Sequence, residues 1–148
     1  MVIGTLRSAV VFAAMLSSAN VAALEFKSVT EPAAILYDAP SAKAQKVFIL
    51  SQGYPVEVVV KLEGWSKIRD DTGEFAWIEN NHLSDRRTVM VRIASAEARQ
   101  NASESSPVVF TAEKSVFLEV VDMAVGWAKV RHHDGAVGFI KVSQLWGL

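Results

Sequence analysis

Two side chains have the chemistry of ligand contacts: Trp65 and Trp127. Each presents a flat ring with a polar edge, so each can stack on an apolar group and make a hydrogen bond as well. The two tryptophans share one local frame, Gly64-Trp65-Ser66-Lys67-Ile68-Arg69 and Gly126-Trp127-Ala128-Lys129-Val130-Arg131. Alternation along a strand sends Ile68 to one face and Trp65, Lys67 and Arg69 to the other. That arrangement is an aromatic ring beside a basic strip, suited to contacting a ligand. The competing reading packs Trp65 against a flanking loop. For Trp77 and Phe139, beside Ile78 and Ile140, core or inter-module packing is expected.

Other chemistry is sparse. His132-His133-Asp134 occupies a turn between strands, and neighbours on a strand point to opposite faces, so no shared metal ion is expected. Asp70-Asp71 occupies the matching turn and reads as a solvated corner. No serine carries a nucleophile signature next to a histidine, and no glycine-rich phosphate loop occurs. Neither an enzyme nor a cofactor is expected.

The elements that position these residues are duplicated. Gly64–Leu83 recurs without a gap as Gly126–Leu145, with seven of twenty positions identical: Gly64, Trp65, Lys67, Arg69, Gly73, Ile78 and Leu83 reappear 62 residues later. The same offset aligns Val47-Phe48 with Val109-Phe110 and Glu57-Val58-Val59 with Glu119-Val120-Val121. A period of this size is a small domain rather than a solenoid repeat.

Residues 1–23 read differently. Arg7 precedes the uncharged apolar run Ser8–Ala23, which ends in small residues. This is the pattern of a cleaved secretory signal, with cleavage expected before Leu24 and a run too short to anchor the chain in a bilayer. The remainder carries 14 basic and 16 acidic side chains and no cysteine. A near-neutral charge argues against nucleic-acid binding. An exported chain without disulfides depends on its core alone, and a periplasmic or secreted setting fits it. Two modules of this size would each be marginal alone, so they are expected to pack together.

Within copy one, strands are expected at Ala33–Tyr37, Lys46–Leu50, Val56–Leu62, Trp65–Arg69 and Glu74–Ile78, with Leu24–Pro32 as a lead-in and Asn80–Leu83 as a closing turn. Thr88–Ile93 reads as an additional strand between the copies. Ser95–Gln100 is the one segment whose composition suggests a helical turn.

The pattern Gly-Trp-x-Lys-[Ile/Val]-Arg, a turn with Gly, then an aromatic residue and Ile, resembles the bacterial SH3-like domain. With the leader and two copies, the chain resembles exported tandem SH3-like proteins of proteobacteria. The resemblance implies an all-β fold of two small barrels, over residues 24–87 and 88–148 after a signal at 1–23. It also implies a binding or adaptor role in the cell envelope. Against the proline-peptide groove of SH3 domains, Trp65 and Trp127 take the groove tryptophan position, Glu79 and Lys141 the proline position, His82 and Gln144 the tyrosine position, and Tyr37 and Arg99 the loop aromatic. Copy one keeps part of the aromatic wall and copy two very little, which argues against a polyproline ligand. The expected partner is a peptide, cell-wall (peptidoglycan) stem peptide or envelope protein at Tyr37, Trp65 and His82. The alternative is an assembly protein whose grooves are covered in a homodimer or by the sister module.

Overall fold

The computed structural model describes residues 23–148, so the expected leader, except its final residue Ala23, lies outside the described residues. Fourteen strands run in chain order: β1 (Phe26–Val29), β2 (Ala33–Tyr37), β3 (Lys46–Ser51), β4 (Pro55–Lys61), β5 (Trp65–Arg69), β6 (Phe75–Glu79), β7 (Leu83–Ser84), β8 (Thr88–Val91), β9 (Ser95–Arg99), β10 (Val108–Glu113), β11 (Phe117–Ala124), β12 (Trp127–Arg131), β13 (Val137–Lys141) and β14 (Leu145–Trp146). Single 3-10 turns at Asn80–His82 and Val142–Gln144 precede β7 and β14. Among the described residues no helix is long and apolar enough to cross a membrane.

The strands form two seven-stranded sheets, ordered β3-β2-β6-β5-β4-β1-β7 and β10-β9-β13-β12-β11-β8-β14. Every strand of the first has its counterpart 62 residues on, so the duplication extends from β1 to β14. This corrects two readings. Leu24–Pro32 is not a mere lead-in, because it contains β1, which pairs with β4 and β7. Thr88–Ile93 supplies no spare strand between the copies: β8 is the second module's own first strand, fully buried between β11 and β14. Ser95–Gln100 is also corrected, from a helical turn to β9, where Ala96 and Ala98 face the core and Ser95 and Glu97 face out. Alanine, glutamate and arginine favour helices in isolation, but pairing with β10 and β13 decides the outcome.

Each module has its own core. The first contains Val29, Ala34, Leu36, Leu50, Val56, Ile68, Ala76 and Ile78, and the second the corresponding Val91, Ala96, Ala98, Ala112, Leu118, Val130, Gly138 and Ile140. Leucine at 50 becomes alanine at 112 while valine at 56 becomes leucine at 118, a compensation of the kind cores tolerate. Gly138 has no room for a side chain, since a Cβ there would lie 2.9 Å from that of Ala98.

A bulge interrupts β4 between Val58 and Val60. The strand therefore does not alternate along its length as expected: it is buried over Pro55–Glu57 and exposed over Val59–Lys61. Trp77 and Phe139 are likewise corrected. Both are half-buried on the outer face, because Ala76 and Ile78, and Gly138 and Ile140, take the inward positions.

The modules dock through β1, the β3–β4 turn and β4 on one side and β8, the start of β11 and the chain's last residues on the other. Trp146 meets Phe26 edge to face at 5.3 Å, and Tyr54 meets Phe117 at 5.4 Å. The Thr88 hydroxyl donates to the Gly53 carbonyl at 2.8 Å, and an Arg87 N–H donates to the Gly147 carbonyl at 2.8 Å. Gly147 has φ of 110° and stands so close to Thr88 and Pro55 that any side chain would collide with both.

Candidate ligand-binding grooves

Trp65 opens β5 and Trp127 opens β12, each after a glycine at φ 78° that turns the preceding hairpin. Ladder pairing sets Trp65 opposite Glu79 and Trp127 opposite Lys141. Ser66, Ile68, Ala128 and Val130 point inward and are buried, so the expected division of the strand into two faces holds.

Around Trp127 the second module forms an open groove of about 530 Å³, lined by Glu97, Arg99, Glu104, Trp127, Lys141 and Gln144 with Ser95 and Thr111 at its edges. Its charges are paired within the groove. Lys141 reaches Glu104 and also lies 5.9 Å from the centre of the Trp127 indole, while Arg99 bonds to Glu97 and donates to the Ser106 carbonyl at 2.8 Å. The hydrogen bond from Lys141 holds the Glu104 carboxyl below the usual carboxylate range, as does that lysine's charge. The groove thus offers one aromatic face framed by two cations and two anions.

The corresponding positions of the first module are Ala33, Ile35, Tyr37, Ala42, Ile49, Trp65, Glu79 and His82, with little charge. Tyr37 and Trp65 come together edge to face, ring centres 5.4 Å apart at 86°. Tyr37 is only 8% exposed, so it backs the tryptophan and offers little surface of its own. His82 is half-buried in the 3-10 turn, its carbonyl accepting from the Thr30 N–H at 2.9 Å and its Nδ1 buried without a hydrogen-bond partner. Beside this surface the edge strand β3 exposes Val47, Phe48 and Ile49. The expected contact residues therefore differ in setting: Trp65 and Trp127 are half-buried, Tyr37 is buried behind Trp65, and the open groove described above surrounds Trp127. The clue was present in the sequence, because Glu97, Arg99, Glu104 and Lys141 all occupy groove positions.

The turns behave less simply than strand alternation suggested. His132 and His133 sit in a turn and lie side by side, ring centres 4.1 Å apart, with His132 Nδ1 3.1 Å from Asp134. Among the described residues no group of three or more His, Asp or Glu could hold a metal ion. Asp70 accepts from the Thr72 and Glu74 N–H groups, each at 2.9 Å, and Asp71 accepts from the Tyr54 hydroxyl. Asp71 is thus part of a side-chain contact and not only a solvated corner.

The family model described as "Bacterial SH3 domain" matches residues 30–85 and 94–147, one match in each module. The chain belongs to the bacterial SH3 domain family. No curated protein matches it significantly. Among solved structures, it is similar to NlpC2 and NlpC1 from Trichomonas vaginalis and to a NlpC/P60 family protein from Bacillus cereus. The identities are 16%, 17% and 14%, with TM-scores of 0.39, 0.37 and 0.39 over 84%, 86% and 82% of this chain. The chain spans about half the length of those proteins, 48%, 47% and 56% respectively.

Proposed function

We propose that this chain is a non-catalytic binding or adaptor protein that recognises a peptide, a cell-wall stem peptide or an envelope protein through its SH3-like grooves. The observation that carries this reading is the open groove around Trp127, which combines a half-buried indole with opposed charges. A stem-peptide-like ligand has free carboxylates, an ammonium group and small apolar side chains, and each has a counterpart there: Arg99 and Lys141, Glu97 and Glu104, and the indole face. Trp65, backed by Tyr37 and flanked by His82, forms the second and more apolar contact surface. Two linked sites of moderate affinity gain from one another when a ligand spans both. The apolar stretch at residues 8–23 supports export to the periplasm or beyond.

Titration of soluble peptidoglycan fragments into isotope-labelled protein, followed by amide chemical shifts, tests the proposal. Shifts clustered at Trp127, Lys141 and Trp65 are expected, and their loss in Trp127→Ala. A response spread evenly over both sheets, or none at millimolar fragment, would count against it.

A second reading, assembly through a homodimer, is favoured by the exposed apolar edge of β3, since an unpaired strand edge can template another. Among the described residues the aromatic contacts between the modules are Phe26 with Trp146 and Tyr54 with Phe117 rather than Trp65 or Trp127, which favours a second copy over the sister module as the cover. Light scattering separates the two readings: a monomer at high concentration leaves the binding reading ahead.

A further inference from the structure

The two modules exchange equivalent contacts, and one of the two equivalent sockets is left unfilled. In the filled socket the indole of Trp146 lies against Phe26 at 5.3 Å, under the Arg69 guanidinium at 5.8 Å, with its Nε1–H directed at the Pro55 carbonyl at 3.4 Å. Arg69 is itself locked to the buried Glu57, its Nε donating at 2.6 Å and its terminal nitrogen to the same oxygen. Adding 62 to each wall residue gives Thr88, Phe117, Glu119 and Arg131, while the residue matching Trp146 is Ser84. All five of these line a single cleft of about 460 Å³ at the inter-module junction. Where one side holds an indole, the other holds a serine and open space.

The unfilled socket also has the looser ion pair. Arg131 is 3.6 Å from Glu119, whose carboxylate instead takes a 2.8 Å hydrogen bond from Arg86. A guanidinium has five N–H donors, so two arginines sharing one carboxylate retain unused donors. His132 and His133 complete that wall. The nearby Asp134 is occupied by the Ala136 N–H and His132. The cleft therefore has a space whose counterpart takes an indole, and an excess of positive groups around it.

We infer that this inter-module cleft is a binding site for a planar aromatic group carrying a carboxylate, the ring entering the socket that Trp146 fills on the opposite side and the carboxylate pairing with Arg86 and Arg131. Such a group occurs both as a free aromatic acid and as the C-terminal residue of a peptide. The inference is independent of the grooves, which lie on other residues.

Titration of the whole protein with N-acetyltryptophan tests it, with N-acetyltryptophanamide and acetate as the ligands lacking the charge or the ring. N-acetyltryptophan is expected to shift the amides of Ser84, Thr88, Arg131 and His133 and to bind at least tenfold more tightly than either control. The tripeptide Gly-Gly-Trp with a free C-terminus, compared with N-acetyltryptophan, tells whether a peptide end or a free acid is preferred. Ser84→Trp, which places an indole where its counterpart stands, is expected to leave the circular dichroism unchanged and reduce the affinity at least tenfold. If that variant fails to fold, Arg131→Gln replaces it and should lower the affinity for the acid to that for the amide. Absence of shifts at about 10 mM N-acetyltryptophan, equal binding of acid and amide, or full binding in the folded Ser84→Trp protein would each overturn the inference.

Discussion

Tyr37 meets Trp65 edge to face, and the buried phenol ring backs the half-buried indole. Trp65 therefore packs along one edge as the second reading of the sequence expected, and the half-buried remainder of the ring stays compatible with the first. Trp65→Ala is expected to cost about 1–2 kcal/mol, comprising the aromatic pair and part of the indole's buried area. The protein should still fold, with a lowered melting temperature and weaker capture of an envelope partner. Complete unfolding would show that the ring is chiefly structural.

Ile68 lies on the opposite face of the same strand, 1% exposed. Ile68→Ala should destabilise the protein by about 2–5 kcal/mol, by lost burial and the cavity left behind. Denaturant unfolding measures this. A cost below that of Trp65→Ala would mean that the faces of β5 are assigned the wrong way round.

Gly147 joins the modules where no side chain fits. Gly147→Ala adds a collision with Pro55 and Thr88 to a backbone conformation that non-glycine residues rarely adopt. The expected cost is about 1–3 kcal/mol. It should appear as faster amide exchange at Phe26 and Trp146, while the cores of the two modules stay protected.

The Tyr54 hydroxyl, half-buried and bonded to Asp71, has its pKa raised above 10.0, first by burial and then by that carboxylate. A raised pKa in the folded state gives stability that is present below the ordinary tyrosine value and is lost as pH rises toward the folded one. The protein should therefore weaken above about pH 10. Tyr54→Phe should flatten that alkaline limb of the stability curve, and an unchanged limb would remove Tyr54 from the explanation.

In the second groove, Lys141→Glu opposes Glu104 and removes the cation over Trp127. A fall of tenfold or more in affinity for a carboxylate-bearing peptide is expected, with the melting temperature little changed because the pair is exposed and screened by water. Calorimetric titration and thermal melts read the two quantities separately.

The strands flanking the Gly-Trp frames were legible because branched and aromatic residues bounded by glycine turns leave few alternatives. The inward residue Ile68 followed from parity. β1 was harder to see: Phe26-Lys27-Ser28-Val29 shares only its valine with Thr88-Val89-Met90-Val91, and four residues carry too little periodicity to stand out. Trp77 and Phe139 were misplaced because ring size was weighed above alternation, although Ile78 and Ile140 beside them had already claimed the inward face. The socket of Trp146 was not visible at all from one residue's neighbours. It depends on which faces of two modules meet, and that is written only in contacts between distant parts of the chain.

Phe26 and Trp146 sit in the first and last strands, yet they close the same joint. A chain delivered from its N-terminus presents Phe26 long before Trp146 exists. The first barrel can complete its own sheet, since β1 through β7 pair among themselves, but its docking face stays bare until β14 has been made. Joining the halves thus has to wait until the second barrel's closing strand has been made. Anything that holds the last residues back, such as a translocation pore, postpones that event without disturbing either barrel.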